Sequence, residues 1–161
     1  MVEIREATEA DHDAVWDIFR EVVSAGDSYP FEPDMPREQA LRYWTGSGVR
    51  TFVAVVDGRV VGTYILKPNQ PGLGDHVANA AFMVGSGGRG RGVGRAMCEH
   101  ALREASQGGF LAMQFNFVVS TNAGAVALWR KLGFAVVGTV PKAFRHREHG
   151  LVDVYVMHRF L

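Results

Sequence analysis

Val84-Gly85-Ser86-Gly87-Gly88-Arg89-Gly90-Arg91-Gly92-Val93-Gly94-Arg95 is the stretch with the most chemistry in it. It leaves an apolar run and enters a run with helical spacing, Val93 to Ser106. Glycine there gives backbone freedom and close approach. A glycine-rich turn that opens a helix presents unpaired N–H groups and the positive end of a dipole to an anion. Arg89, Arg91 and Arg95 stand at that same helix start, where cations are unfavourable unless an anion joins them. The composition therefore points to a polyphosphate. A solvated glycine linker is the plain alternative, and the strand and helix patterns on either side argue against it.

Gly85-Ser86-Gly87-Gly88-Arg89-Gly90 matches G-x-G-x-x-G, a weak signal alone. A dinucleotide site would place the third glycine in the first helical turn of a βαβ unit. Here the helix begins only near Gly92, and the preceding strands read as an antiparallel hairpin. No G-x-x-x-x-G-K-[ST] occurs, so a Walker loop is excluded.

The flanking elements follow in order. Val2 to Ala7 alternates like a short strand, and Thr8 with Asp11 reads as a helix cap. Ala14, Val15, Ile18, Phe19 and Val22 repeat at helical spacing to about Ser24. Gly26 to Pro36 breaks the pattern and carries Tyr29 and Phe31. Arg37 to Trp44 is helical again. Thr51 to Val56 and Arg59 to Leu66 flank Asp57-Gly58, a strong hairpin signal. Lys67 to Gly72 reads as a turn or loop, and Val77 to Val84 as the strand that feeds the glycine loop. Phe110 to Val119 is a central strand. Thr121 or Asn122 caps a helix whose stripe is Ala125, Leu128, Trp129 and Leu132, ended by Gly133. Phe134 to Val140 and Leu151 to Phe160 are strands joined by a basic loop, Pro141 to Gly150. The predicted order is β-α-α-β-β-β-α-β-α-β-β: one α/β domain over residues 1–161 with a largely antiparallel sheet.

The composition is that of a globular protein, with 47% hydrophobic and 21% charged residues. The formal net charge is zero, which gives no support for general attraction to nucleic acid or to a membrane. The lone Cys98 excludes an internal disulfide and fits a reducing, cytoplasmic setting. No apolar run approaches the length of a membrane span.

Arg89-x-x-Gly92-x-Gly94 resembles the R/Q-x-x-G-x-G/A signature of the GCN5-related N-acetyltransferases, and Val84 falls where that family's preceding strand ends. Asn122-x-x-Ala125-x-x-Leu128-Trp129-x-x-x-Gly133-Phe134 resembles a second family motif, and the element order is that of the family. The resemblance therefore covers nearly the whole chain. It implies acetyl-CoA as co-substrate, with no metal. Arg89, Gly90, Arg91, Gly92, Val93, Gly94 and Arg95 would form the pyrophosphate loop. Backbone groups of Met83 and Val84 would meet pantetheine and polarise the thioester. Asn122 would both cap its helix and touch coenzyme A.

Lys67-Pro68-Asn69, Pro71-Gly72, His76-Val77-Ala78-Asn79-Ala80, Phe115-Asn116 and Thr121-Asn122 further resemble the fungal enzymes that acetylate azetidine-2-carboxylate and other proline analogues. That branch implies a small, amino-acid-like amine acceptor, attacking the thioester directly. Asn79 is then a substrate-orienting amide, or else a polar group that satisfies a strand bulge. Asn116 contacts pantetheine or substrate, or makes a core hydrogen bond. Trp129 stands where many relatives carry a tyrosine acid, and an indole is no useful acid. For the base, His76 and an ordered water both stay open. His146-x-x-His149 is a weak metal signal; a solvated loop, or with Phe144 and Arg145 a wall of the acceptor site, suits it better. A protein or peptide N-acetyltransferase and a non-catalytic acyl-CoA-binding module remain as alternatives. Many members of the family form homodimers, and nothing in the sequence itself shows one.

Overall fold

A computed structural model describes all residues, Met1–Leu161. Seven strands form one sheet: β1 Glu3–Glu6, β2 Arg50–Val56, β3 Arg59–Pro68, β4 Val77–Val84, β5 Ala112–Val119, β6 Ala135–His146 and β7 Gly150–Phe160. Four helices accompany it: α1 His12–Ser24, α2 Arg37–Trp44, α3 Val93–Gln107 and α4 Ala123–Lys131. The expected element order is therefore the observed one.

The sheet order is β1-β2-β3-β4-β5-β7-β6. Every neighbouring pair is antiparallel except β4 and β5. That parallel contact is short. Val77, Ala78 and Asn79 pair with Ala112, Met113 and Gln114, and there the pairing ends. Beyond it the two strands diverge, and the sheet is split along the C-terminal halves of β4 and β5.

Strand alternation sorts the side chains onto two faces. Ala78 and Ala80 of β4 join Tyr64, Leu66, Met97, Ala101, Phe115 and Trp129 under α3 and α4. Met83 joins Val53 and Ile65 under α1 and α2, with Val15, Phe19 and Trp44. Both helix pairs thus bury an apolar stripe against one sheet, the main stabilising arrangement of a layered domain. On the α1/α2 face the buried Thr63 hydroxyl accepts from the Trp44 indole N–H at 3.0 Å and donates to the Phe52 carbonyl at 2.8 Å. The Asp11 carboxylate accepts from the Thr8 N–H at 2.8 Å and is gripped by both terminal nitrogens of Arg5, at 2.8 and 2.9 Å. The Arg5 bonds are the main reason its carboxyl is held down at about 2.

The boundary that differs most from expectation is the end of β6. The segment Pro141 to His146, expected as loop, continues β6, and the turn is only Arg147 to His149. β6 is an edge strand, so Pro141 removes no ladder bond that the sheet needs. Irregular pairing between Val140 and Phe144, with Lys142 at φ 51°, absorbs the extra residues. Phe144 then buries against Val119 and Val154.

Candidate active site

The phosphate-loop candidate lies where β4 meets α3. A short 3-10 turn, Ser86–Gly88, leads to Gly90 and Gly92, both left-handed at φ 72° and 74°. Gly92 is the residue that starts α3, and a side chain there would be strained. The first helical bond of α3 runs from the Ala96 N–H to the Gly92 carbonyl at 3.0 Å. The N–H groups of Val93, Gly94 and Arg95 therefore have no acceptor within the helix. Those of Gly90 and Gly92 have no protein partner either. This is a cradle of donors at a helix start, the arrangement that suits a phosphate.

Each arginine of the loop leans on a carboxylate at the surface. Arg89 lies 3.6 Å from Glu21, Arg91 lies 3.3 Å from Asp57, and Arg95 lies 2.8 Å from Glu99. Such exposed pairs are worth about 0–1 kcal/mol, so a bound anion can take over the arginines at little cost. Glu21 also accepts from the Ser86 N–H at 2.9 Å, which ties α1 to the loop.

The split between β4 and β5 is the second feature. A cavity of about 820 Å³ opens along it. On one side it is walled by Val84, Arg89, Asn122, Ala123, Ala125 and Trp129. On the other it is walled by Asp27, Ser28, Tyr29, Phe31, Tyr43, Lys67, Asn69, Asn79, Asn116 and His146. The cavity thus crosses the sheet, from the α3/α4 face to the α1/α2 face.

Strand register decides which backbone groups meet it. Gly85 donates its N–H to Val61 of the strand side at 2.9 Å, and Met83 is registered with Thr63. By alternation the polar groups of Met83 face β3, whereas those of Phe82 and Val84 face the split. The Phe82 N–H donates to the Tyr29 hydroxyl at 3.0 Å, and that hydroxyl donates to the Phe82 carbonyl at 2.5 Å. Tyr29, from the loop between α1 and α2, therefore sits on the open edge of β4. Burial raises its phenol pKa above the ordinary tyrosine range.

The remaining expected residues separate into two groups. Asn79 stands at the last paired rung, where its amide donates to the Gln114 carbonyl across the mouth of the split, at 3.0 Å. Asn116 donates to the Asn69 side chain at 2.6 Å and accepts from Gln114 at 2.9 Å. Asn122 caps α4 by accepting from the Ala125 N–H at 3.4 Å. All three line the cavity. His76 does not: it is exposed, precedes β4, and lies outside the cavity wall. Trp129 is packed between Phe82 and Phe115, with ring centroids 5.1 Å from each. It fills the base of the split as a core residue.

Some cavity residues carry no motif signal. Asp27 is the one carboxylate in the wall. His146, expected in a solvated loop, is buried and lines the cavity. The hairpin tip that carries it is pinned by the Arg147 N–H to the Gly26 carbonyl at 3.0 Å. The proline and aromatic content of Gly26 to Pro36 is the sequence signal that could have pointed to Tyr29; a Pro141-containing strand hid His146.

A glycine cradle at a helix start beside a split parallel strand pair matches one known architecture. The model of the acetyltransferase (GNAT) family matches residues 13–134. The chain belongs to that family. A solved GCN5-related N-acetyltransferase from Kribbella flavida superposes with a TM-score of 0.94 at 51% identity, covering 99% of this chain and 98% of that one. The N-acetyltransferase aca1 of Schizosaccharomyces pombe is 29% identical over 151 residues, 83% of this chain and 72% of that protein. The L-amino acid N-acetyltransferase AaaT of Escherichia coli is 33% identical over 120 residues, 70% of this chain and 68% of that protein. A phosphinothricin acetyltransferase from Sinorhizobium meliloti, solved in complex with AcCoA, gives a TM-score of 0.87 at 26% identity, covering 99% and 88%.

The GNAT protein is thus an acetyl-CoA-dependent acyltransferase. No cluster of side chains suited to a metal occurs, and no helix is long and apolar enough to cross a membrane.

Proposed function

We propose that this GNAT protein acetylates the amine of a small, amino-acid-like acceptor. The supporting observation is the cavity that crosses the sheet at the split: a donor-rich loop lies on one face, and a chamber walled by amides, Lys67 and Asp27 on the other. The chamber is closed on one side by the hairpin tip bonded to Gly26, which favours a compact acceptor over an extended peptide. That the relative AaaT is an L-amino acid N-acetyltransferase agrees with that reading.

Roles for the residues follow from their positions. Gly90, Gly92, Val93, Gly94 and Arg95 offer N–H groups to the pyrophosphate of acetyl-CoA, with Arg89 and Arg91 adding charge. Phe82 and Val84, whose backbone faces the split, would donate to the thioester oxygen and the pantetheine arm. Tyr29 yields the Phe82 N–H when that oxygen arrives. Asn79 and Asn116 orient the acceptor on the α1/α2 face, and Asn122 borders the donor on the other. We assign the acceptor's ammonium to Asp27, which also takes its proton, directly or through one water. The neutral amine then attacks the thioester carbon; the N–C bond forms, the C–S bond breaks, coenzyme A leaves as thiolate, and the excess proton on the acetylated nitrogen passes to that thiolate or to water. A thiol pKa of about 8.5 makes that departure feasible without a tyrosine acid at Trp129.

Thiol release from acetyl-CoA, measured over L-amino acids, their decarboxylated amines, cyclic imino acids and short peptides, tests the acceptor class. Turnover confined to cyclic imino acids would place the enzyme with the proline-analogue branch. Turnover of peptides but not free amines would overturn the small-acceptor reading.

A further inference from the structure

We propose that His146 is a fixed, uncharged hydrogen-bond donor that reads the carboxylate of the acceptor. The inference rests on the small-acceptor reading above and adds a residue that determines specificity.

The Nδ1 of His146 accepts from two backbone donors, the Glu148 N–H at 3.0 Å and the His149 N–H at 3.2 Å. A backbone N–H can only donate, so Nδ1 must be the unprotonated nitrogen of the ring. The neutral ring therefore carries its proton on Nε2. Two amides aimed at one nitrogen hold that tautomer and set the ring plane.

Packing holds it further. The ring is tilted against His149 at 4.4 Å between centroids and stands edge-on to Phe144 at 6.2 Å. The side chain is buried, yet it lines the cavity. With Nδ1 committed to the turn, Nε2–H is the polar group left for the chamber. No acceptor within the protein meets it.

That donor has one chemical direction. Its free nitrogen already bears a proton, and the other nitrogen is engaged, so His146 is no base for the ammonium. It can only present an N–H to an oxygen. The chamber also holds Lys67, a cation, together with the donor amides of Asn79 and Asn116. Asp27, the one carboxylate in the wall, repels a carboxylate and suits the ammonium instead. An α-amino acid carries both groups, and its carboxylate is the part that an Nε2–H in a chamber that also holds Lys67 would recognise. The H-x-x-H spacing of His146 and His149 thus has a physical use without a metal: the second histidine's ring packs on the first at 4.4 Å between centroids.

The test compares two acceptors in two enzymes. His146→Asn keeps a side-chain oxygen able to accept from the turn amides and removes the Nε2–H. For an L-amino acid that the wild type acetylates, kcat/KM should fall ten- to hundredfold, mostly through KM. For the amine lacking the carboxylate, kcat/KM should stay within about threefold of wild type. Equal losses on both acceptors would mean a structural role, and no loss on either would mean no role; each overturns the proposal. The free protein gives a second reading. Long-range 1H–15N correlation should show His146 as the Nε2–H tautomer, and an Nδ1–H tautomer would overturn it as well. A wild-type enzyme that acetylates no small amine would overturn the proposed function, and this inference with it, a result distinct from the others.

Discussion

Beside the α3 end of the split, the donor site is built from backbone: N–H groups of Gly90, Gly92, Val93, Gly94 and Arg95, all from one short stretch of chain that adjoins the cavity wall at Arg89. On the α1/α2 side the cavity is built from side chains: Asp27 and Tyr29 from one loop, Lys67 and Asn69 from the end of β3, Asn116 from β5, and His146 from a distant hairpin. A backbone site depends on conformation and tolerates changes of side chain. A side-chain site depends on distant segments that fold into register. The first kind suits a donor shared across a family, and the second suits an acceptor that differs from enzyme to enzyme.

Substitutions at each side can break that contrast. The largest effect is expected at Gly92. Gly92→Val forces a β-branched residue into a left-handed conformation and crowds the cradle. Acetyl-CoA affinity by calorimetry should fall about a hundredfold while the domain stays folded. A change below threefold would contradict a backbone-built donor site. Asp27→Asn comes next. The kcat/KM for the acceptor should fall about ten- to hundredfold, with the dissociation constant of acetyl-CoA unchanged. If donor binding falls instead, the two halves are not separate.

Arg89→Ala should cost less than about tenfold in acetyl-CoA affinity, because Arg89 is an exposed charge beside a backbone cradle. A loss as large as that of Gly92→Val would shift the donor site from backbone to side chains.

Asp11 lies outside both halves and serves as a control. Its folded pKa, about 2, lies below the ordinary value of 3.8. Its ion pair with Arg5 therefore stabilises the fold fully above the unfolded pKa, and the contribution is lost as pH falls through the folded value. Asp11→Asn should lower stability by about 2 kcal/mol at pH 7, on the order given by that shift. In denaturant titrations the difference from wild type should shrink between about pH 4 and pH 2, with turnover at pH 7 unaffected. The smallest effect belongs to Cys98, buried on α3, whose thiol burial pushes up to about 12. It should stay unmodified by thiol reagents until the protein unfolds. Labelling of the native enzyme at a free-cysteine rate would contradict that burial.

The contrast also explains what was legible in the sequence. The donor side is local. Gly92, which the motif marks, is left-handed, as is Gly90 within the same loop, and a continuous stretch of chain suffices to recognise it. Hairpins, helix stripes and strand order were legible for the same reason, since alternation and helical spacing are local signals. The acceptor side is not local. Asp27 and Tyr29 fall in a segment whose turns follow no period, and Tyr29 gains its meaning only by reaching Phe82. His146 was hidden because Pro141 and the basic residues after it resemble a loop, whereas an edge strand with a bulge accepts them. His76 illustrates the reverse. Its type suits a base, but its place before β4 keeps it away from the cavity. Residue type proposes chemistry, and only the fold decides proximity.

The most direct measurement is acetyl-CoA-dependent thiol release over the panel of small amines and peptides, with bound donor quantified in parallel. Steady turnover of free amino acids, with no acetylated protein and no burst, is expected of direct attack in a cavity that crosses the sheet. Tight acetyl-CoA binding with no release on any free amine, but release on peptides, would contradict the small-acceptor chamber.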